Sequence, residues 1–463
     1  MATLPYFILS PNAILSIIGL IHGPDETIPT APKDWHDASV DVVIPALNEE
    51  SNIVLCLAAL AKQTMKPKRI TLIDDGSADH TVDYAKVFCE LNGMEIVTIQ
   101  RQVSIGKTPT LKRQSRESDS HVEFILDSDT VLESENYISR VVEELYKGVG
   151  IASACGTILP MRDRDRSALL QNDAMQKFLA ARPEASVYPK VGWLRHLQRG
   201  ISDLYRDALY MYLQKFVYHG QMVFFGSILN PVGCAVAYRR EALKAMVFDR
   251  YEPIFGDDLT NSEDIFIGFA FTDNGFRNIQ LMDVYARSQE PEASRIPHQI
   301  YLWSSSFLQS CYYFDELMRS PFKALKRYFH HRREDRKIGR DIELKRKIKE
   351  QYRQPFGVDY TIKYGRPIGW VLFMSALEKI AFPTTLTIMM ILHMWTALLL
   401  TVSIESVLSV CVLMMIAKGH RLEYFLKGVL AIPMRYSVIL FDLVTMIRFA
   451  ADLWVFKNRR WRK

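Results

Sequence analysis

The sequence predicts an α/β domain built on a largely parallel sheet, followed by apolar helices. Three observations predict it: strand and helix patterns alternate between residues 41 and 100, one strand runs into aspartates at Asp127 and Asp129, and apolar residues concentrate toward the carboxyl terminus. The chain has 463 residues, 49% of them hydrophobic. Its mean hydropathy of −0.02 is high for a purely soluble protein.

The alternation can be read in order. "VDVVIPAL" is a strand ending at Pro45, and "EESNIVLCLAALAKQ" has the apolar spacing of a helix. "RITLIDDGS" is a second strand, "HTVDYAKVFCEL" a second helix and "MEIVTIQ" a third strand. Such a βαβαβ start implies a sheet that binds a nucleotide at the carboxyl ends of its strands. Neither G-x-G-x-x-G nor G-x-x-x-x-G-K-S/T is present, so a glycine-rich loop does not hold the pyrophosphate and another device must neutralise it.

"EFILDSDTV" points to that device. Phe124, Ile125 and Leu126 read as a strand covered on both faces, where two carboxylates would cost several kcal/mol each unless paired or bound to a cation. Asp127 and Asp129 therefore belong at the strand's carboxyl end. A hard divalent cation shared with phosphate oxygens is one reading of the pair, and helix capping or a turn is the other. Asp74 and Asp75 likewise end a strand beside Gly76, where a base or ribose is gripped or an Asx-type turn is made. In "NSEDIFIGFAFTDNGF", Glu263 and Asp264 open an apolar helix. They are N-terminal caps or, beside two carboxylate-tipped strands, a general base.

Three carboxyl-terminal segments are apolar: Pro383 to Val402, Ser406 to Ala417 and Tyr436 to Phe456. The first approaches the roughly 20 residues of a membrane-spanning helix, the second needs flanking residues to reach it, and the third carries Asp442, Arg448 and Asp452 and so lies at the interface or faces other helices. A buried helical domain is the alternative. Lys418, Arg421, Lys427 and the closing "FKNRRWRK" predict cytoplasmic flanks. "YFILSPNAILSIIGLI", Tyr6 to Ile21, lacks a basic n-region and reads as a membrane-associated helix, spanning or lying flat. The basic run Lys323 to Lys349 suits anionic lipid headgroups or a solvated linker; it has no aromatic platform for nucleic acid. Six cysteines without metal spacing fit a reducing compartment. The expected division is a membrane-associated segment (1–37), the α/β domain (38–315), a basic juxtamembrane linker (316–365) and membrane helices (366–463).

"VVIPALNEE", "LIDDGSADHT", "GKTPTL", "FILDSDT", "GCAVAYRREAL", "SEDIFIGFAFTDNGFR" and "QIYLWSSSF" occur in the order and approximate spacing of glycosyltransferase family 2. Between about Val40 and Phe307 the chain resembles that family's membrane-embedded polysaccharide synthases, most of all the chitin-oligosaccharide and hyaluronan synthases. The resemblance implies a GT-A fold, a UDP-sugar donor, Mg2+ or Mn2+, a glycan or lipid acceptor, and inversion at the anomeric carbon. By position it implies that Ala46 and Glu49 border the uridine, that Asp75 with Asp74 contacts the base or ribose, and that Lys107 approaches the diphosphate or sugar. Asp127 then holds the ribose or metal, Asp129 is the direct metal ligand, Asp264 beside Glu263 is the catalytic base, and Gln299 and Trp303 are the ends of the Q-x-x-R-W acceptor motif.

The chain departs from the pattern at Leu302, where the motif has arginine, and at Lys112, where asparagine is common. Both bear on processive polymerisation more than on transfer. Asp258 in "GDDLTNSED" competes with Asp264 as base; three helical turns before Gly275-Phe276 is the register that favours Asp264. Single addition to a ceramide or polyprenyl-phosphate acceptor is the first alternative, and a catalytically silent membrane scaffold the second.

Overall fold

A computed structural model describes residues 11–23, 30–187, 192–256, 259–260, 262–326 and 357–457. Eight strands form one sheet: β1 (Val40–Ala46), β2 (Arg69–Asp74), β3 (Val97–Gln100), β4 (Val122–Leu126), β5 (Thr130–Leu132), β6 (Ile151–Pro160), β7 (Ala235–Arg239) and β8 (Arg277–Ser288), in the order β3-β2-β1-β4-β7-β6-β8-β5. The first half is as the alternation predicts. β1 lies between β2 and β4, parallel to both, with Val42 opposite Ile70 and Phe124, and helices Ile53–Ala61 and Thr81–Leu91 connect β1, β2 and β3. Helix Ile53–Ala61 is buried from Ile53 to Leu60, because the sheet lies on one side of it and further helices on the other.

The second half corrects the expectation of a largely parallel sheet. β7 runs antiparallel to β4 and β6, and β5 antiparallel to β8, so the sheet is mixed. The physical reason is that "AVAYR" is buried along most of its length, and a fully covered strand is apolar whichever way it points. Direction is set by the connection. Here the chain leaves β6 at Pro160 and passes through helices Asp163–Leu170, Asp173–Ala181, Trp193–Tyr212 and His219–Phe225 before returning as β7.

That excursion fastens the sheet to the carboxyl-terminal helices. Asp207, in helix Trp193–Tyr212, accepts from Lys427 and Arg162 and, at 3.2 Å, from the Tyr424 hydroxyl, so helix Arg421–Leu430 is held by a buried carboxylate. Helices Gly369–Ile391 and Trp395–Ile416 are long and apolar enough to cross a membrane by length and composition. At 1.5 Å per residue they rise about 34 and 33 Å, against about 30 Å of hydrocarbon. The expected span Pro383 to Val402 is thereby corrected: it crosses a helix break at Leu392, His393 and Met394, with His393 at φ 53°, and Ser406 to Ala417 belongs to the second helix of the hairpin. No Gly or Pro marks that break. In Ile432–Ala450, Asp442 faces inward and pairs with Lys379, which also donates to Ser304 Oγ at 2.9 Å. The amino-terminal helix Pro11–His22 docks where Gly19 meets Gly220, and Asn12 bonds Glu378 and Ser375. The basic run beyond residue 326 and the last six residues lie outside the described residues.

Candidate active site

The carboxyl ends of β1, β2 and β4 converge, as the parallel half of the sheet dictates. Ala46 is the last residue of β1, opposite Asp74, and its carbonyl accepts from the Asp75 amide at 2.9 Å. Asp74 accepts from the Ser77 amide at 3.0 Å, which is the Asx-type turn. Asp75 uses both oxygens on the segment 101–106, accepting from Arg101 (2.9 Å), Ser104 (2.5 Å) and the amides of Ile105 (3.0 Å) and Gly106 (2.9 Å). Burial pushes its carboxyl up, but these bonds outweigh burial and hold it below the usual carboxylate range. Asp75 thus shapes the loop that delivers Lys107 at the start of helix Lys107–Glu117.

Asp127 follows β4 directly, and its amide donates to the Cys234 carbonyl at 2.8 Å, so the antiparallel β7 fixes the turn. Asp129 lies in the turn between β4 and β5, its Oδ1 reached by Thr130 at 3.2 Å and Ser288 at 3.5 Å. Burial pushes Asp129 up to about 8, and the nearby charges of Asp127 and Glu49 push the same way. Glu49 is itself raised by burial, against a 2.7 Å bond from Asn52. Three carboxylates therefore crowd one buried corner. Among the described residues no group of three His, Cys, Asp or Glu side chains is arranged to hold a metal by itself.

Lys107 joins this corner to the expected base. Its ammonium lies 2.7 Å from Asp127 Oδ1 and 3.0 Å from Glu263 Oε1, and donates to the Gly233 carbonyl at 3.2 Å. Burial pushes the Lys107 pKa down, but Asp127 and Glu263 outweigh it and the lysine stays charged. Asp264, second residue of helix Glu263–Asp273, accepts from Ser262 Oγ (2.6 Å), the Ile265 amide (2.8 Å) and the Gly233 amide (3.3 Å). Burial and the neighbouring Glu263 push Asp264 up to about 6. The helix starts at Glu263 and ends before Gly275 at φ 88°, consistent with the three-turn register; Asp258 lies outside the described residues.

Gln299 and Trp303 sit one turn apart on helix Ile296–Tyr313. Ser306, on the same helix, donates to the Ser262 carbonyl at 3.1 Å, which couples this helix to the loop before Asp264. Sequence reasoning missed Gly233, which a side chain would drive into Asp264, as well as Arg101, Arg206 and Glu290. "GCAVAYRREAL" carries a signal for Gly233, a glycine opening a buried strand. The other three have no spacing signal, since their partners lie on distant elements.

These features define a GT-A, Rossmann-like domain. Residues 41–247 match the family described as Glycosyl transferase family 2. It is similar to an N-acetylglucosaminyltransferase of Azorhizobium caulinodans, 22% identical over 61% of this chain and 61% of that one. It is also similar to one of Bradyrhizobium diazoefficiens, 24% identical over 56% of this chain and 46% of that one. The chain thus spans about half to three-fifths of the length of these relatives. Among solved structures, the mannosyltransferase PcManGT from Pyrobaculum calidifontis, in complex with GDP-Man and Mn2+, aligns over 96% of this chain and 99% of that one, with 15% identity and a TM-score of 0.48.

Proposed function

We propose that the chain is a membrane-embedded, inverting glycosyltransferase that moves a sugar from a UDP-sugar to a hydroxyl of a glycan or lipid acceptor. The observation that supports this best is the Lys107 bridge, which brings the crowded carboxylates of one strand end to a base-bearing helix. Single displacement needs two separate acts: proton removal from the attacking hydroxyl and stabilisation of charge growing on the leaving diphosphate.

Asp264 takes the proton. Its carboxyl sits near 6, so it is ionised at neutral pH yet basic enough to accept a proton in the transition state. Ser262 and the Ile265 amide hold Oδ1, which leaves Oδ2, beside the Gly233 amide, for the acceptor. Lys107 is placed to meet the diphosphate, and Asp74, Asp75, Ala46 and Glu49 line the base and ribose end. The corner of Asp127, Asp129 and Glu49 fits a divalent cation, because Asp129 is pushed up to about 8 by burial and further by the charges of Asp127 and Glu49, which a dication would offset. Mg2+ or Mn2+ held by Asp129 with Asp127 would neutralise the leaving diphosphate, donor oxygens completing its shell. Gln299 and Trp303 face the acceptor. Helices Gly369–Ile391 and Trp395–Ile416 anchor the domain in the cell membrane with its site on the cytoplasmic side.

The test is UDP release from purified membranes across a panel of UDP-sugars, with chitin oligosaccharides and polyprenyl phosphates as acceptors, and product sizing. Release that depends on donor, acceptor and Asp264 supports transfer; no turnover of any sugar nucleotide overturns it. Products of one added sugar on lipid would select single addition over polymerisation.

A further inference from the structure

Arg206 is 1% exposed, near the carboxyl end of helix Trp193–Tyr212. Its guanidinium lies 4.6 Å from the Trp303 ring centroid and donates from Nη2 to Gln299 Oε1 at 2.5 Å. Its Nε stands 3.6 Å from Glu290 Oε2, an ion-pair distance, and has no hydrogen-bond partner among the described residues. Tyr210 donates to the same Glu290 oxygen at 3.3 Å. Glu290 belongs to the stretch after β8 that also supports Asp129, through Ser288 Oγ and the Gln289 amide.

Burying a guanidinium and a carboxylate together costs several kcal/mol of desolvation that their attraction barely repays, and an apolar side chain would fill the space more cheaply. The site must therefore use the charge or its geometry. Both residues that Arg206 grips lie on one face of helix Ile296–Tyr313, a turn apart, and a planar cation is suited to grip both at once, stacking on an indole while donating in its own plane. Helix Ile296–Tyr313 has leucine at 302, so the guanidinium between Gln299 and Trp303 comes from another helix.

We propose that Arg206 is a positioning residue for the acceptor: it locks Gln299 and Trp303 into one platform, with Glu290 as its counter-ion, and so sets acceptor affinity and not donor binding. This rests on the transferase reading above. One face of the Trp303 indole is taken by the guanidinium, so an acceptor sugar stacks on what remains of the ring, in the single orientation that Gln299 permits.

The experiment uses the full chain in membranes, with Arg206→Lys and Arg206→Ala. Donor and acceptor are the pair established by the UDP-release panel, UDP-N-acetylglucosamine and chitotetraose being tried first. Arg206→Lys keeps the charge but loses the planar fork, and it carries the test if Arg206→Ala fails to fold. The expected result is an acceptor KM raised at least about tenfold, with the donor KM within about twofold of the wild type. An acceptor KM raised less than about threefold, or a donor KM raised as much as the acceptor KM, overturns the proposal. A wild-type chain that transfers no sugar fails the transferase reading itself, a different result from a wild type that transfers and a variant that behaves like it.

Discussion

A Cβ on Gly233 would stand 2.7 Å from the Cβ of Asp264, closer than side chains approach, and both sides of that contact are held by backbone. Gly233→Ala therefore pushes the carboxylate off its Ser262 and Ile265 bonds, and turnover should fall at least about tenfold while UDP binding changes little. Asp264→Asn should cut turnover at least about a hundredfold, again with UDP binding nearly unchanged, since the proposed base would touch the acceptor hydroxyl and not the nucleotide. Asp258→Asn should be milder; the reverse ranking would move the base to the Gly-Asp-Asp sequence. The pH dependence follows from sign. A base raised to about 6 is protonated, hence idle, below that pH, so kcat/KM should fall tenfold per unit on the acid side of about 6 and level off above it. Glu123, inside β4, is 0% exposed and neither oxygen has a hydrogen-bond partner among the described residues; burial, with Asp41 adding to it, holds its carboxyl well above the usual range. A carboxyl raised on folding destabilises increasingly as pH climbs past its unfolded value. Glu123→Met should thus raise the melting temperature by a few degrees, more at pH 8 than at pH 5. Asp127, Asp129 and Asp264 were legible in the sequence because strand ends and helix starts leave local patterns. Arg206 was not, because nothing near it in sequence records what it touches.

At the scale of elements, hydrophobic period was enough for the first three strands and for helix Glu263–Asp273, since each covered segment is short and bounded by turn residues. The break at His393 escaped it because an apolar helix and an apolar turn have the same composition. Lys379 and Asp442 show what charge does between such helices. Their pair lies half-buried between Gly369–Ile391 and Ile432–Ala450, with Ser304 of helix Ile296–Tyr313 as third partner. Removing one partner leaves the other charge half-buried and unpaired, so Lys379→Met should destabilise by about 1–3 kcal/mol, and the double variant with Asp442→Leu should recover most of it. Thermal unfolding in detergent reads both. Equal loss in the single and double variants would mean that the helices are held by something else.

The molecule as a whole turns on which way the hairpin faces. On the reading of its two helices as a membrane hairpin, Gly369 and Ile416 would share one membrane face and His393 would lie at the other. Cysteines placed between Lys323 and Lys349 should label only after the membrane is opened, and one at position 393 should label from outside intact cells; the opposite pattern would invert the topology. Lys107 has a consequence of another kind, one of timing. In the resting protein its ammonium is shared between Asp127 and Glu263, which the proposed reading puts on the donor and acceptor sides, so neither is independent of the other. A diphosphate arriving next to Asp127 offers that ammonium a stronger partner and loosens its hold on Glu263. On that reading the acceptor half should be released only after the donor half is filled. On the proposed transferase reading, the two substrates should bind in compulsory sequence, with UDP competing against the donor but not against the acceptor, and Lys107→Met should erase the order; product-inhibition kinetics read both.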